Sequence, residues 1–276
     1  MEIQTLAEQL FFTTVRIETS SPVGIGTGTA FVFSYEWDDK TALFLVTNKH
    51  VVAKATSGRF FFTLSDGTQP LVGQRFDIQI DNFELRWHGH PRGDIDIAVM
   101  PLVPILQEIE KTGKRVFYKS ISHTLIPTPK QLNDLDAIEE ILFIGYPNGI
   151  FDTKNLMPIA RRGTTATPVQ IDYNGAPIFL VDASVFPGSS GSPVLICNSG
   201  GYASKSGFVI GTRVFFLGVI AQVAIREEFG KIEFVSIPTA QIPIVKTQQM
   251  IDLGVVYKSS TVIDTVLDFL KVNKAL

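Results

Sequence analysis

The chain has 276 residues, 45% of them hydrophobic and only 18% charged, with 21 phenylalanines. That excludes a disordered polymer and leaves room for one large domain or two small ones around a sizeable core. The net charge of −3 excludes the basic footprint of a nucleic-acid or anionic-membrane binder, and the single cysteine, Cys197, excludes an intrachain disulfide.

Glu2 and Glu8 stand where a secretory leader would carry a basic segment before an apolar one. No run approaches the roughly 18 apolar residues of a membrane span. The expectation is a protein without a membrane segment in a reducing, cytoplasmic setting.

Residues 6–12 suggest a short helix or an extended lead-in, and 13–19 alternate with period two as a first strand. Gly24, Gly26 and Gly28 then lead into a second strand. Their spacing lacks the third glycine of a dinucleotide fingerprint, no helical pattern follows, and no Gly-Lys-Ser/Thr is present, so a bulge or turn is expected rather than a phosphate cradle. A polar turn at 37–40 precedes a buried strand at 41–47 that ends on Asn48-Lys-His50. Further short strands are expected at 60–64, 71–77 and 83–87, followed by Trp87-His-Gly-His-Pro-Arg-Gly-Asp-Ile-Asp-Ile-Ala-Val-Met100. Short strands at this spacing, with little helical period between them, predict an antiparallel barrel or sandwich.

From Pro104 the character changes. Residues 105–114 carry helical spacing, and Pro127, Pro129 and a polar run follow. Strands return at 141–144, 162–171, 177–182, 207–212, 214–223 and 234–238. Residues 239–253 are expected to be helical from an N-terminus at Thr239. Residues 261–272 form a second amphipathic helix that Ser260 can cap, packed against the body or offered to a partner. The expected organisation is an N-terminal unit over 1–115, a connection over 116–137, a C-terminal unit over 138–250 and a helical tail over 251–276.

Between two apolar β-runs lies Phe186-Pro-Gly-Ser-Ser-Gly-Ser-Pro193, small residues able to fold a tight turn, expose a hydroxyl and aim several N–H groups at one point. All four histidines, His50, His88, His90 and His123, precede it. An α/β-hydrolase needs its histidine after the serine and a Gly-x-Ser-x-Gly elbow, and both conditions fail. A subtilisin-like order would need its acid before His50, where Asp38 and Asp39 sit in a polar turn. The order His50, Asp96, Ser190 remains. Asp94 is a rival for the acid, and His88 and His90 with Asp94 and Asp96 offer a weaker, metal-binding alternative.

Leu45-Val-Thr-Asn-Lys-His-Val-Val52, Asp96-Ile-Ala-Val99 and Pro187-Gly-Ser-Ser-Gly-Ser-Pro193 together resemble the chymotrypsin/trypsin-like serine peptidases, most closely the disulfide-free HtrA (Deg) branch. Gly26-Thr-Gly-Thr-Ala-Phe-Val32, Phe143-Ile-Gly-Tyr-Pro-Asn-Gly149, Leu217-Gly-Val-Ile220 and Val235-Ser-Ile-Pro238 are similar to segments of that branch. The resemblance spans residues 12–245. It implies an all-β fold of two antiparallel six-stranded β-barrels, followed here by short C-terminal helices. It implies a serine endopeptidase that needs no cofactor and no metal and that acts on a protein or peptide substrate.

In that scheme Ser190 is the nucleophile, His50 the base and then the acid, and Asp96 the group that orients the imidazole. The loop N–H groups of Gly188, Ser189 and Ser190 are the candidates for an oxyanion hole, in which each donor contributes about 3–4 kcal/mol in the transition state. Ser184, Val185, Ala221 and Val223 are expected around the pocket for the residue before the scissile bond. With no acid at its floor and Val223 narrowing it, a small or medium aliphatic residue is expected there.

The sequence departs from the family in three places. Members activated by cleavage carry an aspartate where Ser189 stands, so activation by a new N-terminus is not expected. Ser192 replaces a common glycine. The residues after 245 cannot hold the PDZ domain usual in the HtrA branch. That branch implies a homo-oligomer, and a regulatory protein partner is compatible with the sequence. The alternative function is a catalytically silent member of the fold, acting as a sensor or protein-binding module.

Overall fold

Strand follows strand through most of the chain, some alternating buried with more exposed positions, as in 15–19 and 57–62, and others running as continuous buried stretches, as in 29–34, 44–47 and 193–196. The computed structural model describes residues 2–205, 207–231 and 244–275. In the N-terminal half, helix α1 (Leu6–Leu10) precedes strands β1 (Thr14–Ser21), β2 (Gly24–Trp37) and β3 (Lys40–Thr47). The short helix α2 (Lys49–Val52) leads to β4 (Ser57–Ser65), β5 (Pro70–Asp81), β6 (His88–Gly89) and β7 (Ala98–Pro101). Helix α3 (Val103–Lys111) and the two-residue strands β8 (Val116–Phe117) and β9 (Ile121–Ser122) complete this half.

After α4 (Pro129–Asp134) come β10 (Glu140–Gly145), β11 (Ile159–Thr165), β12 (Ile178–Asp182) and β13 (Pro193–Asn198). The hairpin β14 (Tyr202–Ser204) and β15 (Gly207–Val209) precedes the long strands β16 (Arg213–Lys231) and β17 (Ile244–Lys258), and helix α5 (Ser259–Val272) ends the chain.

The first nine strands form one sheet in the order β5-β4-β1-β2-β3-β7-β6, with β8 added to β4 and β9 to β2. The next half closes as a six-stranded barrel, β10-β11-β12-β17-β16-β13. Neighbours are antiparallel except for the parallel β2–β9 pair. Each half has its own core, one around Phe60, Phe62 and Phe83 and the other around Phe143, Phe179 and Val181. A third core joins them: Phe31, Phe33 and Phe44 meet Leu195, Phe216 and Val219, with Val262, Val266 and Leu270 of α5 packed on both. Each fully buried side chain of this size contributes about 1.5–3 kcal/mol.

Several local expectations need correction. The helix expected over 239–253 is strand β17 from Ile244 onward, because its backbone groups pair with both β12 and β16 to close the barrel. The helical tail therefore begins at Ser259, not at 251. Thr239 and the strand expected at 234–238 lie outside the described residues. Residues 116–122 pair with β4 and β2, so they belong to the N-terminal sheet and not to a free connection. Phe83–Arg86 is a 3₁₀ turn, entered through Asn82 at φ +55°, and its Phe83 ring lies against Gly58. Ser260 does not cap the last helix. Lys258 is the N-cap residue, and the Thr261 hydroxyl donates to its carbonyl at 2.7 Å.

Candidate active site

The end of β3 and the loop before β7 bring His50 and Asp96 together. Asn48 starts α2 with extended backbone, and its side-chain amide donates to the Asp96 carbonyl at 2.7 Å. The His50 N–H then donates to Asp96 Oδ1 at 3.0 Å, and the ring Nδ1 bonds Asp96 Oδ2 at 2.5 Å. This pairing places the proton on Nδ1 and leaves Nε2 with its lone pair free. Asp94 is turned away, pairing with Arg92 at 2.7 Å on the surface.

The loop that carries the acid is held from two sides. The Lys49 ammonium donates to the carbonyls of His90 and Arg92 at 2.7 and 2.9 Å, and burial pushes its pKa down. From the barrel, the Tyr257 hydroxyl donates to the Asp94 carbonyl at 3.0 Å. The other histidines serve elsewhere. His88 Nε2 bonds Asp268 of α5 at 2.7 Å, His90 Nδ1 accepts from the Arg92 N–H, and His123 Nδ1 accepts from the Glu36 N–H.

The serine loop runs from β12 to β13. Phe186-Pro-Gly-Ser189 is a type II turn: proline stands in its second place, Gly188 has φ +85°, and the Ser189 N–H donates to the Phe186 carbonyl at 3.0 Å. A Cβ at Gly188 would lie 2.6 Å from the Tyr146 carbonyl oxygen, so only glycine fits. The Pro187 carbonyl accepts the Asn148 N–H at 2.5 Å. In a trans peptide the N–H points opposite to the carbonyl, which turns the Gly188 N–H away from Asn148. Among the described residues, neither the Gly188 nor the Ser190 N–H donates a hydrogen bond. The Ser189 N–H is spent on the turn, which corrects its expected place among the oxyanion donors.

His50, Gly188 and Ser190 line one open groove, together with Val23, Ile25 and Val51. The Ser190 hydroxyl donates to the Ala221 carbonyl at 3.1 Å. Of the expected pocket residues, Ser184 is exposed at the start of the loop. Val185 is only 2% exposed and packs into the barrel core against Gly254, and Ala221 is equally buried. Neither lines the groove; for Val185 this corrects the expectation, because residues alternate in direction and the loop turns this one inward. Val223 pairs with Gly254 of the neighbouring strand β17, and its side chain lies outside the described residues.

Sequence reading did not single out Thr29, the residue that fastens the serine loop to the N-terminal half. Its N–H donates to the Ser190 carbonyl at 3.0 Å and its hydroxyl to the Gly188 carbonyl at 3.0 Å. The same hydroxyl accepts the Tyr146 N–H at 3.1 Å, and the Thr29 carbonyl accepts the Thr47 hydroxyl at 2.7 Å. The only sequence signal was its place in the Gly26-Thr-Gly-Thr29 run.

The trypsin-like peptidase domain family matches residues 28–201. No curated protein matches the sequence. Among solved structures, the chain is similar to a protease from M. tuberculosis in its active form, with 16% identity over 95% of this chain and 82% of that one and a TM-score of 0.46. A serine endoprotease from Yersinia pestis is 15% identical over 98% of this chain and 68% of that one, with a TM-score of 0.47. An inactivated protease paralogue of the scabies mite is 14% identical over 95% of this chain and 96% of that one, with a TM-score of 0.46. The family match covers more than half of the chain: the chain belongs to the trypsin-like peptidase domain family.

Proposed function

We propose that this protein is a serine endopeptidase in which His50, Asp96 and Ser190 hydrolyse a peptide bond through an acyl-enzyme. The observation that carries the reading is the 2.5 Å bond from His50 Nδ1 to Asp96 in a groove shared with Ser190. In the acylation step Ser190 Oγ attacks the scissile carbonyl carbon while His50 Nε2 takes the hydroxyl proton. The carbonyl oxygen becomes an oxyanion that the Gly188 and Ser190 N–H groups receive. Collapse breaks the C–N bond, His50 gives its proton to the leaving amine, and the acyl group stays on Ser190. Water then attacks the ester carbon while His50 takes its proton; collapse breaks the bond to Ser190 Oγ, releases the carboxylic acid, and His50 returns the proton to the serine oxygen. Asp96 stabilises the imidazolium in both halves.

For this sequence of steps the Ser190 hydroxyl must leave the Ala221 carbonyl and turn to His50. That resting bond is also what favours the second reading, a catalytically silent protein-binding member of the family. Casein cleavage by wild type and Ser190→Ala separates the two. Cleavage by wild type and none by the variant supports the peptidase, while equal activity in both refutes the nucleophile.

A small or medium aliphatic residue is proposed before the scissile bond, because no carboxylate stands at Ser184. Cleavage of a peptide library mainly after Arg or Lys would sink that preference. The proposal carries with it a reducing, cytoplasmic setting, where a lone cysteine is an ordinary thiol.

A further inference from the structure

Behind the serine loop stands an arginine that the triad does not use. Arg161 leaves β11 opposite Phe143 of β10. Its guanidinium donates to the Ser184 carbonyl and, at 2.5 Å, to the Ser189 hydroxyl. It lies 4.6 Å from the centre of the Phe143 ring and 5.6 Å from that of Phe186. Among the described residues it pairs with no carboxylate, and its buried Nε has no partner. Burial pushes its pKa down to about 10.

A cation held between two rings without a counter-ion is costly, and an apolar side chain of similar volume would serve stability as well or better. What the guanidinium supplies instead is direction. Its planar fork reaches two acceptors at once, one at the start of the loop and one beside the nucleophile. Ser189 is fully buried, and its hydroxyl is also within reach of the Phe186 N–H at 3.4 Å, so Arg161 and the type II turn close on the same side chain.

We propose that Arg161 is a positioning residue, a partly buried cation that pins the serine loop at Ser184 and Ser189 and thereby holds the Gly188 and Ser190 N–H groups in place for the oxyanion. This rests on the assignment of Ser190 as nucleophile. It assigns the loop's order to a partly buried side chain of β11, so the loop keeps its shape before substrate arrives.

The test measures kcat, KM, the rate of fluorophosphonate labelling and thermal midpoint for Arg161→Met, Arg161→Lys, Ser189→Ala and the Arg161→Met/Ser189→Ala pair. Expected for Arg161→Met is a fall of about 100-fold in kcat and labelling, with KM within about threefold and the midpoint unchanged or higher. Arg161→Lys recovers about 10-fold of that loss, and the double variant is no worse than Arg161→Met alone. Wild-type kcat in Arg161→Met, a loss confined to KM, a loss that tracks a fall in midpoint, or multiplying effects in the double variant would overturn the proposal.

Ser189→Ala removes one acceptor and no charge, so it carries the test should Arg161→Met not fold. A roughly 10-fold fall in its kcat at unchanged midpoint supports the proposal, and unchanged kcat overturns it. Ser190→Ala keeps the two readings apart. If it retains activity the nucleophile assignment falls; if it is inactive while Arg161→Met is normal, only the role of Arg161 falls.

Discussion

The Ser190 hydroxyl donates to the Ala221 carbonyl at 3.1 Å, while the His50 ring is held by Asp96 through its other nitrogen. The His50 ring is thus oriented by Asp96, and in the proposed reaction the Ser190 hydroxyl gives up its bond to Ala221 and turns toward it. Asp96→Asn keeps the shape of this arrangement but offers His50 a neutral amide. It is expected to lower kcat about 10⁴-fold, whereas Asp94→Asn, altering an exposed Arg92 pair, changes it by less than about threefold. Steady-state kinetics on one peptide substrate measures both, and similar losses in the two variants would reverse the choice of acid.

Thr29 ties the serine loop to β2 through its backbone and its hydroxyl. Thr29→Val keeps the bond from its N–H to the Ser190 carbonyl but leaves the buried Tyr146 N–H without its acceptor. The expected cost is about 1–3 kcal/mol of stability, with kcat lowered about 10-fold because the Gly188 carbonyl also loses a donor. Chemical denaturation and kinetics together check this; a variant as stable and active as wild type removes Thr29 from the account.

Gly188→Ala puts a side chain at φ +85° and 2.6 Å from the Tyr146 carbonyl oxygen. The turn must change, and the Gly188 N–H moves with it. A loss of about 10²–10³ in kcat is expected, the usual effect of removing one oxyanion donor. Binding of a substrate-like peptide to Gly188→Ala with Ser190→Ala should remain close to that of Ser190→Ala alone, measured by calorimetry.

Helix α5 spans the two halves through Val262, Val266 and Leu270. Leu270→Ala should destabilise the protein by about 2–5 kcal/mol. Asp268→Asn, which weakens only the partly exposed pair with His88, should cost less than about 1 kcal/mol. Denaturant midpoints for the two variants check this; equal small shifts would contradict a packing role for Leu270.

Much of this was legible in the sequence, for physical reasons that differ by element. Strand β1 alternates with period two and β3 is a continuous apolar run, both local signals, and the order of His50, Asp96 and Ser190 excludes rival hydrolase designs from the sequence itself. Strand β17 was not legible, because residues 244–253 show no period-two alternation and Thr239 offered a helix N-terminus just before them. Only pairing with β12 and β16 decides for the strand, and that pairing is non-local. Thr29 and Arg161 were hidden for the same reason: a threonine in a glycine-rich run and an arginine in a strand carry no local mark of the loop they touch. Ser189 was misread because the turn that aims the Gly188 N–H consumes its neighbour's.

The central claim is that Ser190, activated by His50, is the nucleophile. Its most direct test is mass spectrometry of the folded protein after exposure to a fluorophosphonate, beside Ser190→Ala and His50→Ala. One adduct per chain, mapped to Ser190 in wild type and absent from both variants, is the predicted result. Folded wild type that stays unlabelled, or an adduct that persists in Ser190→Ala, contradicts it.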